Sequence, residues 1–336
     1  MKGKILITGA GGFIGSFLVE RALLEGMEVW AGVRQSTSRE WLSDPRIHFI
    51  DLPYHSPEAL SKVLKCHREE HGAWHVVINN MGVTKTRHEA DFERVNHDYV
   101  RHLVEALRAC DMMPEHFVLM SSLSAFGPTR DDDMQPISLA DTPMPDTAYG
   151  RSKLHVARYV KEQSDLPYTI FYPTGVYGPR ERDYYLMFKT VRAGIDFIPG
   201  LKPQRISFIY VHDLVEAIFL AIKHRAVRKE YIISEPRSYS SSEFRRYIQR
   251  EMQKRCVVAL PVPLWLLKVV NYTIGYFASV MGKASTLNRD KYHIMAQRNW
   301  SCDITPLQHD LGFTPRYTLE QGVHETYEWY RLNHWL

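Results

Sequence analysis

Cysteine is scarce in this 336-residue chain, with four thiols, Cys66, Cys110, Cys256 and Cys302. They are too few for a disulfide framework and too widely spaced for a zinc-ligand pair, so reduced thiols, a cytoplasmic setting and no metal centre are expected. A charge excess of either sign is also missing. The net charge is +4, with 42 Lys and Arg scattered among 38 Asp and Glu, which predicts neither a nucleic-acid nor an anionic-membrane footprint. No internal repeat or linker interrupts the chain, and Met1-Lys2-Gly3 runs directly into an apolar stretch, which predicts no signal or transit peptide. One long apolar run stands out, at residues 262–282, where Lys268, Asn271 and the neighbouring prolines argue against a bilayer span. An internal, core-packed helix is expected there; contact with a membrane surface is the less favoured reading.

Alternation of strand and helix patterns fills the rest. Residues 4–15, KILITGAGGFIG, read as a buried strand, a glycine turn and a helix start. Gly9, Gly12 and Gly15 permit a tight turn and close approach to a pyrophosphate, while the helix N-terminus offers N–H groups to phosphates. With Gly11, Phe13 and Ile14 they form the candidate cradle for a dinucleotide. The second strand, 28–33, ends in Arg34 and is followed by Ser36, Thr37 and Ser38, so a cofactor with an extra 2′-phosphate is favoured: NADP over NAD. Strands at 47–50, 74–78, 115–120 and 168–172 alternate with helices at 57–71, 89–110 and from 148 onward. The expected fold is α/β, a Rossmann-type doubly wound parallel sheet with a smaller, mainly helical C-terminal substrate domain. Residues 1–172 and 206–236 are assigned to the cofactor domain, and 173–205 and 237–336 to the substrate domain.

The G-x-x-G-x-x-G turn, Ser121-Ser122-Leu123-Ser124-Ala125-Phe126-Gly127, the Tyr149/Lys153 pair one helical turn apart and Pro173-Thr174-Gly175-Val176-Tyr177-Gly178-Pro179-Arg180 resemble the extended short-chain dehydrogenase/reductase superfamily. The resemblance spans the chain, through Asp213 to the closing Leu311-Gly312-Phe313. It implies Ser122, Tyr149 and Lys153 as catalytic residues, with Ser124 the reserve for Ser122. It further places Asp51 and Leu52 near an adenine, has Asn80, Met81 and Gly82 face the cofactor with Pro173 and Val176, and gives Asn96 a structural role. Thr174, Arg180 and Arg205 join Ser124 as candidate substrate residues. A homodimer through helices 89–110 and 148–164 is expected on the same basis. In such enzymes a phenol must be brought from a pKa of ~10 toward neutrality, and a neighbouring ammonium supplies much of the ~4 kcal/mol required.

The small-molecule substrate is harder to read. Sugar-nucleotide members carry Asn where this chain has Gly175, a Gly-Asp-Gly turn where it has residues 200–204, and a diphosphate-binding Arg where it has Ile206. Arg205 is one residue early, and a shift of one on a strand reverses the facing. Together with the apolar 262–282 stretch, these departures favour an apolar-bodied secondary alcohol or ketone, steroid- or dihydroflavonol-like. A nucleotide-sugar epimerase or dehydratase is the alternative, and a non-catalytic NADP sensor a remote one.

Overall fold

The computed structural model describes residues 3–128, 134–281 and 289–336; Met1-Lys2, residues 129–133 of the acidic loop and Gly282 of the apolar run lie outside the described residues. The apolar runs form strands β1 (Lys4–Thr8), β2 (Glu28–Val33), β3 (His48–Asp51), β4 (Val76–Asn79), β5 (His116–Met120) and β6 (Tyr168–Pro173). Four short strands follow, β7 (Gly175–Tyr177), β8 (Ile195–Pro199), β9 (Arg205–Ile206) and β10 (Phe208–Tyr210), before β11 (Lys229–Ile233), β12 (Val258–Val262) and β13 (Asn299–Trp300). The main sheet has seven strands in the order β11-β6-β5-β4-β1-β2-β3, and its pairings are parallel. Strand order reverses between β1 and β4, and ligands of doubly wound sheets bind at the carboxyl ends of the strands beside such a reversal.

Helices α1 (Phe13–Leu24), α2 (Pro57–His71) and α3 (Ala90–Glu93) are followed by a π-helical turn, Arg94–Asp98, that runs into α4 (Tyr99–Ala109). Then come α5 (Ala148–Glu162), α6 (Asp183–Arg192), α7 (Val211–Lys223), α8 (Ser241–Glu251), α9 (Leu264–Val280), α10 (Arg289–Ala296), α11 (Thr305–Leu311) and α12 (Leu319–Leu332). The period of two along β1 divides the core. Ile5 and Ile7 join Leu18 of α1 and Leu214 and Ile218 of α7 on one face, whereas Leu6 joins Leu60 of α2, Leu103 of α4 and Val156 of α5 on the other. Leu307 and Leu311 of α11 also pack into the first cluster, so this helix rests against the main sheet and its helices.

A third, aromatic cluster with Tyr177, Phe188, Phe208, Phe244 and Tyr330 unites β7, β10, α6, α8 and α12. The residues 262–282 depart from expectation: α9 forms, but Trp265 is 69% exposed and Tyr276 67%, and Asn271 is the one buried residue of its described side chains. The core-packed reading is therefore corrected. With neighbours beneath only one side, the helix cannot submerge the apolar residues that occur around most of its circumference. Among the described residues, no helix is long and apolar enough to cross a membrane.

Candidate active site

The glycine turn is built by close backbone approach. Gly9 has φ 64°, and a Cβ there would lie 2.7 Å from the Asn80 carbonyl oxygen; one at Gly15 would lie 2.1 Å from the Gly9 carbonyl oxygen. Thr8 ties the turn to the neighbouring strand end, its hydroxyl donating to Asn79 Oδ1 (3.0 Å) and accepting from the Met81 N–H (3.1 Å). Helix α1 starts at Gly12 with no side-chain cap and no acid in its first turn, so its first N–H groups and positive dipole end stay available for a phosphate. Gly9, Gly11, Gly12, Phe13, Ile14 and Arg34 line a cleft here with Asn80, Met81 and Gly82, while Gly15 is buried behind them. Thr37 and Ser38 also line it, and the Thr37 hydroxyl accepts from the Arg34 N–H at 3.0 Å. A glycine cradle, an uncapped helix and a guanidinium suit a dinucleotide.

Asp51 and Leu52 stand outside the lining: Asp51 is exposed and Leu52 is buried against Gly32. Tyr54, which carried no sequence signal, lines the cleft instead.

On α5, which Thr147 caps by accepting from the Gly150 N–H (3.0 Å), Tyr149 and Lys153 both face the cleft. Ser122, just past the end of β5, lines the same cleft and lies near enough to the Tyr149 phenol to act on its pKa. Ser124 is not in the lining; its N–H donates to Ser122 Oγ (3.2 Å), and its carbonyl is packed against Gly150. It therefore helps shape the serine turn and stands outside the cleft lining. Lys153 Nζ donates to the Met120 carbonyl at 2.8 Å, and burial pulls its pKa from 10.5 down to about 8. Burial pushes the Tyr149 phenol upward, with Ser122 pulling it down. The depression expected from the lysine is thus absent in the protein alone, because desolvation opposes both charged forms.

Asn96 occupies the π-helical turn. It accepts from the Val83 N–H (2.8 Å) and donates to the Val83 carbonyl (3.1 Å) and to Ser152 Oγ (3.0 Å), stitching the segment after β4 to α5. From the C-terminal half, Asp290 on α10 accepts from the Tyr149 N–H at 3.0 Å.

The cleft, about 1470 Å³, extends from the glycine turn past Pro173, Thr174, Gly175 and Val176 to Leu266, Leu267 and Val270 on α9. The Thr174 hydroxyl is buried without a hydrogen-bond partner among the described residues. Arg205 is exposed and outside the lining, whereas Ile206 faces in. Neighbours on β9 point to opposite sides, so the early arginine does not take the inward place. Arg180 lines the cleft but is already engaged: it donates to Ser16 Oγ (2.9 Å) and Glu20 Oε1 (2.6 Å) and lies over the rings of Phe17 and Trp41. It clamps the chain after β7 onto α1. Trp41, Tyr184 and Asn271 are further lining residues that sequence reading did not single out as site residues, since each meets the cleft only through long-range folding.

Known proteins share this fold. The model of the NAD dependent epimerase/dehydratase family matches residues 5–234. A ceramide reductase of Caulobacter vibrioides is 26% identical over 100% of this chain and 96% of that protein. The N-acetyl-alpha-D-glucosaminyl-diphospho-ditrans,octacis-undecaprenol 4-epimerase of Escherichia coli O157:H7 is 23% identical over 98% of this chain and 96% of that protein. The crystal structure of a Thermotoga maritima UDP-glucose 4-epimerase with UDP-glucose has the same fold, with a TM-score of 0.79 at 20% identity, covering 98% of this chain and 99% of that chain. The resemblance to extended short-chain dehydrogenase/reductases is borne out, and with the family model matched over residues 5–234 the chain belongs to the NAD dependent epimerase/dehydratase family of enzymes.

Proposed function

We propose that this enzyme catalyses hydride transfer between a nicotinamide dinucleotide, NADP in preference to NAD, and a secondary alcohol or ketone on an apolar body. The observation that carries the substrate reading is the occupancy of the Gly175 position, where a Cβ would meet the Tyr184 hydroxyl at 2.1 Å. No side-chain amide can reach a diphosphate from there, and Ile206 faces the cleft where a sugar-nucleotide enzyme uses arginine. The ceramide reductase relative acts, by its name, on a lipid.

Tyr149 exchanges a proton with the substrate oxygen, Ser122 holds that oxygen, and Lys153 orients the cofactor's ribose and favours the phenolate. The bound cofactor supplies or accepts the hydride, and its oxidised ring adds the positive charge that offsets the burial of Tyr149. Arg34 pairs with the 2′-phosphate, and Thr174, with its unsatisfied hydroxyl, meets a polar group of the substrate.

A second reading, nucleotide-sugar epimerisation, is favoured by the epimerases among the relatives and neighbours, which support it better than the apolar substrate, and by Arg182 and Lys291 in the cleft lining. Purified protein given NADPH or NADP and a series of aliphatic ketones and secondary alcohols separates the two. Net change in nicotinamide absorbance is expected, whereas NMR-detected epimerisation of UDP-sugars without any response to the aliphatic series would replace the first reading with the second.

A further inference from the structure

We propose that α9 and the strand edge beside it dock this enzyme on the surface of an anionic phospholipid bilayer, the helix lying in the interface plane. The outer side of α9 presents Trp265, Val269, Tyr276 and Phe277, between 52% and 69% exposed. The surface continues beyond the helix. Phe197 and Leu260, register partners across β8 and β12, are 55% and 41% exposed, and Leu201 in the adjoining loop is 76% exposed. Gly200 joins this loop to the helix start, its N–H donating to the Val262 carbonyl (2.8 Å), and a Cβ there would lie 3.4 Å from Leu264 Cδ2. Contiguous exposed apolar area of this kind marks an interaction surface, and Trp and Tyr, apolar bodies with a polar tip, suit the headgroup boundary.

Charge selects the partner. Among the described residues from Gln253 to Arg289, Lys254, Arg255, Lys268 and Arg289 are exposed and no Asp or Glu occurs. Exposed Lys202 adds a cation to the same loop as Leu201. A second copy docking by two-fold symmetry would set this basic region against itself, whereas an anionic lipid surface attracts it. The helix also connects with the cleft: Leu266 and Val270 are both partly exposed and part of the cleft lining, and Asn271 sits buried on the inner side. The docked face would thus place the cleft mouth beside the bilayer. None of this depends on which molecule is turned over.

The test is co-sedimentation of the full chain with phosphatidylcholine vesicles, alone or mixed with phosphatidylglycerol. Binding to the mixed vesicles that falls with salt is expected, roughly tenfold weaker for Trp265→Ser with Phe277→Ser and roughly fivefold weaker for Lys268→Glu. These side chains are exposed, and unchanged circular dichroism and thermal unfolding would verify the fold. Protein remaining in the supernatant with both vesicle types, or sedimentation that ignores all three substitutions, overturns the proposal. Light scattering that shows a dimer lost in the aromatic double variant, without vesicle binding, assigns the face to a second copy and overturns it too.

Discussion

The Tyr184 hydroxyl stands where the side chain of residue 175 would begin: a Cβ on Gly175 would lie 2.1 Å from it. Residue 184 is on α6 and residue 175 on β7, so the chain has filled from one element the space left by another. Gly175→Asn is expected to lose about 1–3 kcal/mol of stability by overpacking. Tyr184→Ala in the same chain should recover much of that loss. Urea unfolding of the two single variants and the double variant measures the coupling, and strictly additive effects would show that the two positions do not compete for space.

Tyr149→Phe removes the phenol oxygen near Ser122 and leaves the ring in place. Turnover is expected to drop roughly 100- to 10,000-fold with cofactor binding retained, as read by single-turnover kinetics and by cofactor fluorescence. Ser122→Ala should cost less, since a positioning hydrogen bond is lost and the proton donor is kept. Near-normal turnover by the phenylalanine variant would remove Tyr149 from the chemistry.

Lys153 makes stability depend on pH. Its folded-state pKa, about 8, lies below the ordinary 10.5, so between those values the unfolded chain holds a proton that the folded chain has released. Stability contributed by this group therefore rises with pH across that window. The stability of the natural chain relative to Lys153→Met is expected to increase from pH 8 toward 10.5 in urea titrations. A flat difference would place the ammonium in a well-solvated environment.

Arg34 lines the cleft at the end of β2, beside Thr37 and Ser38. Isothermal titration of Arg34→Ala is expected to show roughly tenfold or greater weakening for NADPH and little change for NADH, the loss of one charge-assisted contact. Equal weakening for both cofactors would mean that Arg34 shapes the loop and does not read the phosphate.

We propose a homodimer through α4 and α5. Their exposed faces present Glu105, Arg108, Arg151, His155 and Arg158, so such an interface would be polar. Light scattering at micromolar concentration is expected to show a dimer that weakens with added salt. A monomer under low-salt conditions would exclude it.

The sheet and its glycine turn were legible because they are local. Apolar runs of strand length, Gly26 after α1 and the Ser56-Pro57 start of α2 state their structure within a few residues. The expected boundaries of α2 coincide with Pro57–His71, those of the six expected sheet strands agree to within two residues, and β11 was not among the expected strands. Tyr149 and Lys153 were legible through the resemblance to the extended short-chain dehydrogenase/reductases, and their spacing of four on a helix puts the two side chains on one face. The π-helical turn in the helix of residues 89–110 left no such mark, because one wider backbone turn barely disturbs the helical periodicity; Asn96 within it bonds to Val83 and Ser152.

By itself, then, the sequence determined the alternation of strand and helix through β6 and the phosphate-ready turn, products of short-range geometry and periodicity, while the resemblance pointed to Tyr149 and Lys153. Tertiary structure decided the rest. Arg180 is a plausible substrate residue until α1 supplies Ser16 and Glu20 to hold it, and Arg205 until the pairing of β9 with β13 fixes which neighbour turns inward. Hydropathy likewise cannot tell a buried α9 from an exposed one, because apolar character reports a preference for leaving water and only the surrounding fold determines whether anything is there to cover the helix.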